Sequence, residues 1–411
     1  MTGRTHPAAD GTDRRPEPGF EWRVPTRVVF GTGRLREVGN EVAALGGAAV
    51  VVVDRRLAPE PAVRRTLASL VAAHVPHRVV EIERPDPRTV CRIADTVGSA
   101  ADVLVGIGGG SVIDPVKVAS LVVHDGRLRL ALGTAGTTID LDSRHPRGGV
   151  PVVAVPTTPH TGSDANGVAV VDHGARQTLW AGGALCPSTA LVDPDVFRTL
   201  SPTRLRIGAF EVWARLVVTY AAHPAVAGVV DQLARAAIDD LAAIIECPEE
   251  PSAPPEIYLL SLLSGSAALG FGRPATAQTL WYAYAACRAA VPHATKGEIL
   301  AALFADYVRH VRSVTPIGAW LGDPTRLAEA LGPTGMARDP IGTLRRWHLP
   351  TALGELTTNG PETVARTAVD VARSWAQAVP DAPAADLAGF IAEACTRTHI
   401  RREEVKNHDH D

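Results

Sequence analysis

Lysine is nearly missing from this chain: of its 41 basic residues only Lys117, Lys296 and Lys406 are lysine, and the other 38 are arginine. A lysine kept against that bias points to a need for a compact ammonium of adjustable pKa, which a planar guanidinium does not replace. An excess of charge of one sign is missing as well. With 44 acidic residues the formal charge is −3 over 411 residues, and no basic run offers the electrostatic footprint of a nucleic-acid partner. Long apolar runs are absent: uncharged stretches such as Ile257–Gly272 hold Ser and Gly and fall short of the roughly 18 apolar residues of a membrane span. The residues through Pro18 contain no apolar segment of a secretory signal. The expectation is a cytoplasmic protein with no membrane and no nucleic-acid partner. Cys91, Cys186, Cys247, Cys287 and Cys395 are odd in number, scattered and without a C-x-x-C pair, as expected of reduced thiols.

What is present is a change of texture along the chain. Residues 1–18 and 401–411 are rich in Pro, Asp, Arg and His and are expected to be disordered tails. Between residues 19 and 199 short β-branched runs recur, at Val50–Val53, Val79–Ile82, Val103–Ile107, Val152–Val155, Val168–Val171 and Ala190–Val192. Continuous apolar runs of this length suit strands buried on both faces of a parallel sheet. Helical patterns at Leu35–Leu45 and Pro61–Ala73 lie between them, so this part reads as an α/β domain. From residue 200 to about 400 the strand signal stops and Ala, Leu and Arg recur at helical spacing. The expected architecture is α/β followed by all-α: a Rossmann-like nucleotide-binding domain, then a helical domain, with a site in the cleft between them.

The most informative segment runs Asp102-Val-Leu-Val-Gly-Ile-Gly-Gly-Gly-Ser-Val-Ile-Asp-Pro-Val-Lys117. A buried strand leads into glycines and then a helix. Gly108, Gly109 and Gly110 carry no side chain to block a diphosphate, and the helix start supplies unpaired N–H groups and its positive end. Asp54 closes an earlier strand run, where a carboxylate can accept hydrogen bonds from an adenosine ribose and repel a 2′-phosphate. NAD is therefore favoured over NADP. The competing reading of Asp54 is a residue that starts a surface turn before Arg55 and Arg56.

The string Gly-Gly-Gly-Ser111-x-x-Asp114-x-x-Lys117 resembles the signature of iron-containing alcohol dehydrogenases and their dehydroquinate synthase-like relatives. Pro156-Thr-Thr-Pro-His-Thr-Gly-Ser163-Asp is similar to that superfamily's P-T-T-x-x-T-G-S-E loop, and Ala190-Leu-Val-Asp-Pro194 to its last strand. Phe20 to Gly31 fits its first strand, so the resemblance covers about residues 20 to 400. It implies a Rossmann-like domain followed by a helical metal domain. It also implies that the cofactor contacts Asp54, Gly108, Gly109, Gly110, Ser111, Asp114, Lys117, Thr157, Thr158, Thr161 and Ser163. The lysine that the resemblance expects after the fifth strand is replaced by Arg176 or Gln177.

The resemblance also implies a divalent metal held by an Asp and three His, and there the chain departs from it. The first pair of ligands belongs to G-x-D-A-L-x-H, which aligns with Gly208-Ala-Phe-Glu-Val-Trp-Ala214 and puts Phe210 at the Asp and Ala214 at the His. Carried across Thr279–His293 without gaps, the second metal His falls on Thr279, a further active-site His on Ala283, and only His293 survives. The relatives' G-x-x-E pattern is met by Gly208 and Glu211, and His160 is a third donor. Glu211, His293 and His160 leave a divalent metal an open question and not the favoured one. Lys296 then becomes the candidate to stabilise an alkoxide, with Tyr282 or Tyr284 donating a proton if a nearby cation lowers its pKa. The catalytic candidates are Lys296, His293, Tyr282 and His160, against a reading in which Trp281, Tyr282 and Tyr284 pack and Lys296 is solvated.

The function expected from these residues is NAD-dependent hydride transfer between nicotinamide and a secondary alcohol or carbonyl, without the usual metal. The substrate is a small molecule or, in a biosynthetic setting, a hydroxyl on a peptide. One alternative is a dehydroquinate or inosose synthase-like cyclase with transient NAD redox, for which Arg215, Arg273 and Arg288 are candidate phosphate partners. Another is a non-catalytic NAD-binding homologue. A homodimer is left open.

Overall fold

The computed structural model describes residues 23–98, 101–142, 144, 148–174, 176–224, 228–266, 268–270, 279–313, 315–359, 361–375 and 387–394. Both tails, Arg273 and Cys395 lie outside them. Among the described residues nine strands are formed: β1 (Arg27–Phe30), β2 (Ala49–Asp54), β3 (His77–Ile82), β4 (Val103–Gly108), β5 (Thr138–Asp140), β6 (Val152–Pro156), β7 (Val168–Asp172), β8 (Gln177–Ala181) and β9 (Thr189–Val192). Six of them make one parallel sheet in the order β1-β9-β6-β4-β2-β3. Its central strands are buried along their whole length, as expected when helices cover both faces of a sheet. One expectation is corrected here. The Val168–Val171 run does not join the main sheet but pairs antiparallel with β8 in a three-stranded sheet β5-β8-β7, leaving Val168 42% exposed. A buried apolar run specifies a strand, not which sheet receives it.

From β3 the chain crosses over β2 to β4, so the strand order reverses between β2 and β4. Asp54 and Gly108 end these two strands, at the kind of switch point where open α/β sheets bind ligands. After Val192 the described residues contain helices and no strand. The Pro202–Ala222 helix runs through the middle of this part and is buried nearly all round its central turns. Phe210 and Trp213 lie with Phe304 and Trp347 in an aromatic cluster whose ring centroids are 5.0–6.5 Å apart. No helix among the described residues is long and apolar enough to cross a membrane.

Candidate active site

The three glycines after β4 do different jobs. A methyl carbon at Gly108 would fall 2.5 Å from Val112 Cγ2, so this glycine lets the Gly110–Val122 helix pack against its own strand. At Gly109 the methyl carbon would lie 2.9 Å from Thr158 Oγ1. Gly110 has more room, with Thr161 3.8 Å away. Gly109 caps the helix with no side-chain hydrogen bond, and Ser111 is exposed beside it. Among the described residues Thr158 Oγ1 is buried without a hydrogen-bond partner, which costs free energy unless a ligand or water completes it. Open helix amides, an uncapped helix start and an orphaned hydroxyl fit a dinucleotide diphosphate.

The loop after β6 is tied down from three sides. Thr157 N donates to Gly108 O at 3.0 Å. Asp114, on the glycine helix, accepts from Ser163 Oγ and from Val170 N, and burial pushes its carboxyl above the usual range. Lys117 is fully buried, and its ammonium donates to Ser163 O, Asn166 Oδ1 and Val168 O at 2.9, 3.1 and 2.6 Å. Lys117 and Asp114 therefore hold the loop from beneath, and Asp114 Oδ2 also lies 4.0 Å from where a methyl carbon at Gly110 would stand. On the other side Tyr258 Oη donates to Asp164 at 2.7 Å. The carbonyl of His160 accepts from Arg215 Nη2 and Ser261 Oγ, each at 2.8 Å.

At the end of β2, Asp54 is only 6% exposed. It accepts from the backbone N, Nε and Nη2 of Arg56, which hold its carboxyl below the usual range. It opens a turn, as one of its sequence readings has it, and it stands at the switch point with Arg56 as its present partner.

The metal motif is displaced by one residue. Phe210 and Ala214 are fully buried in the helical core, so neither can face a cleft. At 100° per residue, positions 208, 211 and 215 share the opposite face of the same helix, and that face carries Gly208, Glu211 and Arg215. Glu211 Oε1 is 2.7 Å from Lys296 Nζ and 3.6 Å from Arg215 Nη2. Oε2 is 4.0 Å from His160 Nε2. Gly208 makes room for the histidine, since a methyl carbon there would be 2.5 Å from His160 Nδ1. Burial works against Glu211's charge, but Lys296, His160 and Arg215 outweigh it and hold the carboxyl below its usual range. Lys296 is likewise opposed by burial and, through Glu211 in the main, held above its usual range. Burial pushes His160 down, so its ring is neutral near pH 7.

Two catalytic candidates are not brought together with this cluster. His293 is exposed in the turn before the Lys296–Val311 helix and makes no ion pair or hydrogen bond among the described residues. Tyr282 packs towards Trp320 at 6.5 Å between ring centroids, and burial pushes its hydroxyl up. Tyr284 is the tyrosine near Lys296, yet burial raises it too, and the cation only partly offsets this. Neither tyrosine is lowered by a neighbouring cation as the sequence suggested. Arg288 is taken by buried Asp172 at 2.7 Å.

These donors do not fit a divalent ion. Among the described residues no three of His, Cys, Asp and Glu come together as a metal-binding group. The one buried carboxylate already faces two cations, and a doubly charged ion 4 Å from either would meet roughly 8 kcal/mol of repulsion at an effective dielectric of 20.

Residues 25–194 match the family described as iron-containing alcohol dehydrogenase. Over that segment the chain is similar to iron-containing alcohol dehydrogenases. It is 32% identical over 233 residues to the mitochondrial hydroxyacid-oxoacid transhydrogenase of Xenopus tropicalis, covering 54% of this chain and 48% of that protein. The chain thus spans about half the length of the curated relatives it matches. In fold it is similar to the iron-containing alcohol dehydrogenase of Thermococcus thioreducens, with a TM-score of 0.74 at 19% identity, covering 91% of this chain and 99% of that one. The NADH-dependent butanol dehydrogenase A of Thermotoga maritima gives a TM-score of 0.74 at 16% identity, covering 92% and 99%. The fold, α/β then helical, is the one these two solved dehydrogenases have.

Proposed function

We propose that this chain is an NAD-dependent oxidoreductase that interconverts a secondary alcohol and a carbonyl without a divalent metal. One observation carries the reading. A single short loop lies against Gly109 at Thr158 and, two residues on, reaches Glu211 through His160. A diphosphate seated at Gly109, Gly110 and Ser111 would leave its attached ring beside the Glu211 cluster. Asp54 supports NAD rather than NADP, because its charge opposes a 2′-phosphate.

When bound, the nicotinamide supplies a hydride acceptor or donor. The chain's own residues manage the oxygen. Lys296, kept cationic by Glu211, donates a hydrogen bond to the substrate oxygen and stabilises its negative charge. In oxidation the hydroxyl proton passes to Nε2 of His160, which burial keeps neutral, and Glu211 lies 4.0 Å away to pair with the imidazolium formed. The hydride leaves the same carbon, so the alcohol is oxidised by two electrons to a carbonyl. Buried Glu211 is the positioning residue for both.

The test is titration of the purified chain with NAD and NADP, followed by absorbance of NADH with secondary alcohols and with peptides bearing a terminal hydroxyl. NAD is expected to raise the melting temperature and to be reduced by at least one alcohol class. Product without net NADH would return the cyclase reading, stabilisation without turnover the non-catalytic one. Absence of any NAD effect would remove the proposal.

A further inference from the structure

We infer that Lys296 and Arg215 together replace the superfamily's divalent ion charge for charge, and that a metal site lies latent beneath them. The inference rests on the reading of this cleft as an alcohol dehydrogenase-type site. The resemblance implies a doubly positive ion, one carboxylate and three neutral imidazoles, a net charge of plus one. In this chain Glu211 carries minus one, Lys296 and Arg215 plus one each, and His160 is neutral, which again makes plus one.

The geometry repeats the substitution. Both cations address the same oxygen, Oε1, at 2.7 and 3.6 Å, while Oε2 faces the imidazole. Arg215 stands one helical turn after Glu211, the spacing of the Asp and His in the relatives' motif. Its guanidinium is locked by Ser264 Oγ at 3.2 Å and the His160 carbonyl at 2.8 Å. Nδ1 of His160 is buried without a partner. A carboxylate, a histidine and an i, i+4 position are therefore already assembled, and two positive charges keep a cation out.

The experiment reads metal stoichiometry without NAD or substrate, so it stands apart from the oxidoreductase reading. The full chain, its Arg215→His/Lys296→Ala variant and the same variant with Glu211→Gln are incubated with zinc chloride or iron(II), dialysed and analysed. The Glu211→Gln background cancels any ion held by the tail histidines. Wild type is expected to retain no Glu211-dependent metal, and the double variant about one equivalent. Circular dichroism checks that each variant folds. Should the double variant not fold, two measurements on accessible species decide. Zinc should leave the wild-type melting temperature unchanged, and Lys296→Ala should regain NADH formation on addition of methylammonium by about tenfold or more, the usual scale for restoring a charge to an oxyanion site. Stoichiometric metal in the wild type, a folded double variant that takes none, or, once the wild type has been seen to form NADH, absence of amine rescue would overturn the inference.

Discussion

The imidazole of His160 lies on the bare face of Gly208, where a methyl carbon would fall 2.5 Å from Nδ1. The ring cannot simply retreat, because its own carbonyl is held by Arg215 and Ser261. Gly208→Ala is therefore expected to cost about 1–3 kcal/mol and to push the ring away from Glu211. Thermal denaturation should show a drop of a few degrees, and kcat/KM should fall by about tenfold or more while NAD binding is kept. An alanine variant with full activity would remove His160 from the chemistry.

Writing the aspartate of the iron-containing alcohol dehydrogenase motif into the sequence should fail. Phe210 is fully buried against Trp213, Phe304 and Trp347, so Phe210→Asp both opens a cavity and buries a charge. The expected loss is at least about 4 kcal/mol, read as a shifted urea midpoint, with no metal gained.

The glycine helix and the loop after β6 are joined by Lys117, whose ammonium has three protein acceptors and no exposure. Lys117→Met keeps the stem and removes the donor shared by Ser163 O, Val168 O and Asn166 Oδ1, of which the last keeps Val168 N, at an expected cost of about 3–5 kcal/mol. Hydrogen exchange should quicken in residues 163–168. Lys117→Arg should not restore wild-type stability, since a planar fork cannot reach three convergent acceptors in a space filled by one ammonium.

The pH dependence has two limbs with opposite signs. His160 is lowered from 6.5, so in the fold it binds its proton less readily than in the unfolded chain. Its contribution is intact above about pH 6.5 and lost on acidification, by up to about 1.4 kcal/mol per pH unit. Lys296 is raised from 10.5, so its contribution is complete below that value and lost as pH rises through the folded pKa. Oxidation should be flat between these limits. Removing the ammonium by Lys296→Ala should abolish the alkaline limb of kcat/KM and leave the acid one.

Gly109→Ala separates the cofactor cradle from the fold. Its methyl carbon would sit 2.9 Å from Thr158 Oγ1, a contact the threonine relieves by turning, and it would stand where a diphosphate approaches. NAD affinity should fall by about tenfold or more, with stability changed by about 1 kcal/mol or less. Isothermal titration with NAD measures it.

Much of this architecture is legible in the chain because its signals are local. The Val-rich runs, the strand-to-glycine-to-helix segment and the isolated Lys296 each depend on neighbours in sequence. The register of the cleft face was harder. Alignment on Gly208 put Phe210 and Ala214 in the ligand positions, whereas helical periodicity sets Phe210, Trp213 and Val217 on one face and Gly208, Glu211 and Arg215 on the other. The side chains themselves were the better guide: three apolar residues share the core face, two charged ones the cleft. The structural role of Lys117 and Asp114 was not legible for a different reason. Their partners, Ser163, Val168 and Val170, lie about 50 residues away, and nothing near them in sequence distinguishes a lysine that binds a loop from one that binds a cofactor. The raised hydroxyls of Tyr282 and Tyr284 were not legible because burial is invisible in a short motif, and at Tyr284 it outweighs the nearby Lys296.

One consequence of the sheet order concerns how the chain is made. Among the described residues the first strand, β1, pairs only with the last, β9, from Arg27 opposite Thr189 to Phe30 opposite Val192. On a ribosome adding about 5–20 residues per second, β1 would wait on the order of ten to thirty seconds before its partner emerged. For that interval Val28, Val29 and Phe30 form an unpaired edge on a nascent chain. Slow codons or chaperone capture in this window, rather than the stability of the finished protein, would then govern how much of it is recovered intact from a cell.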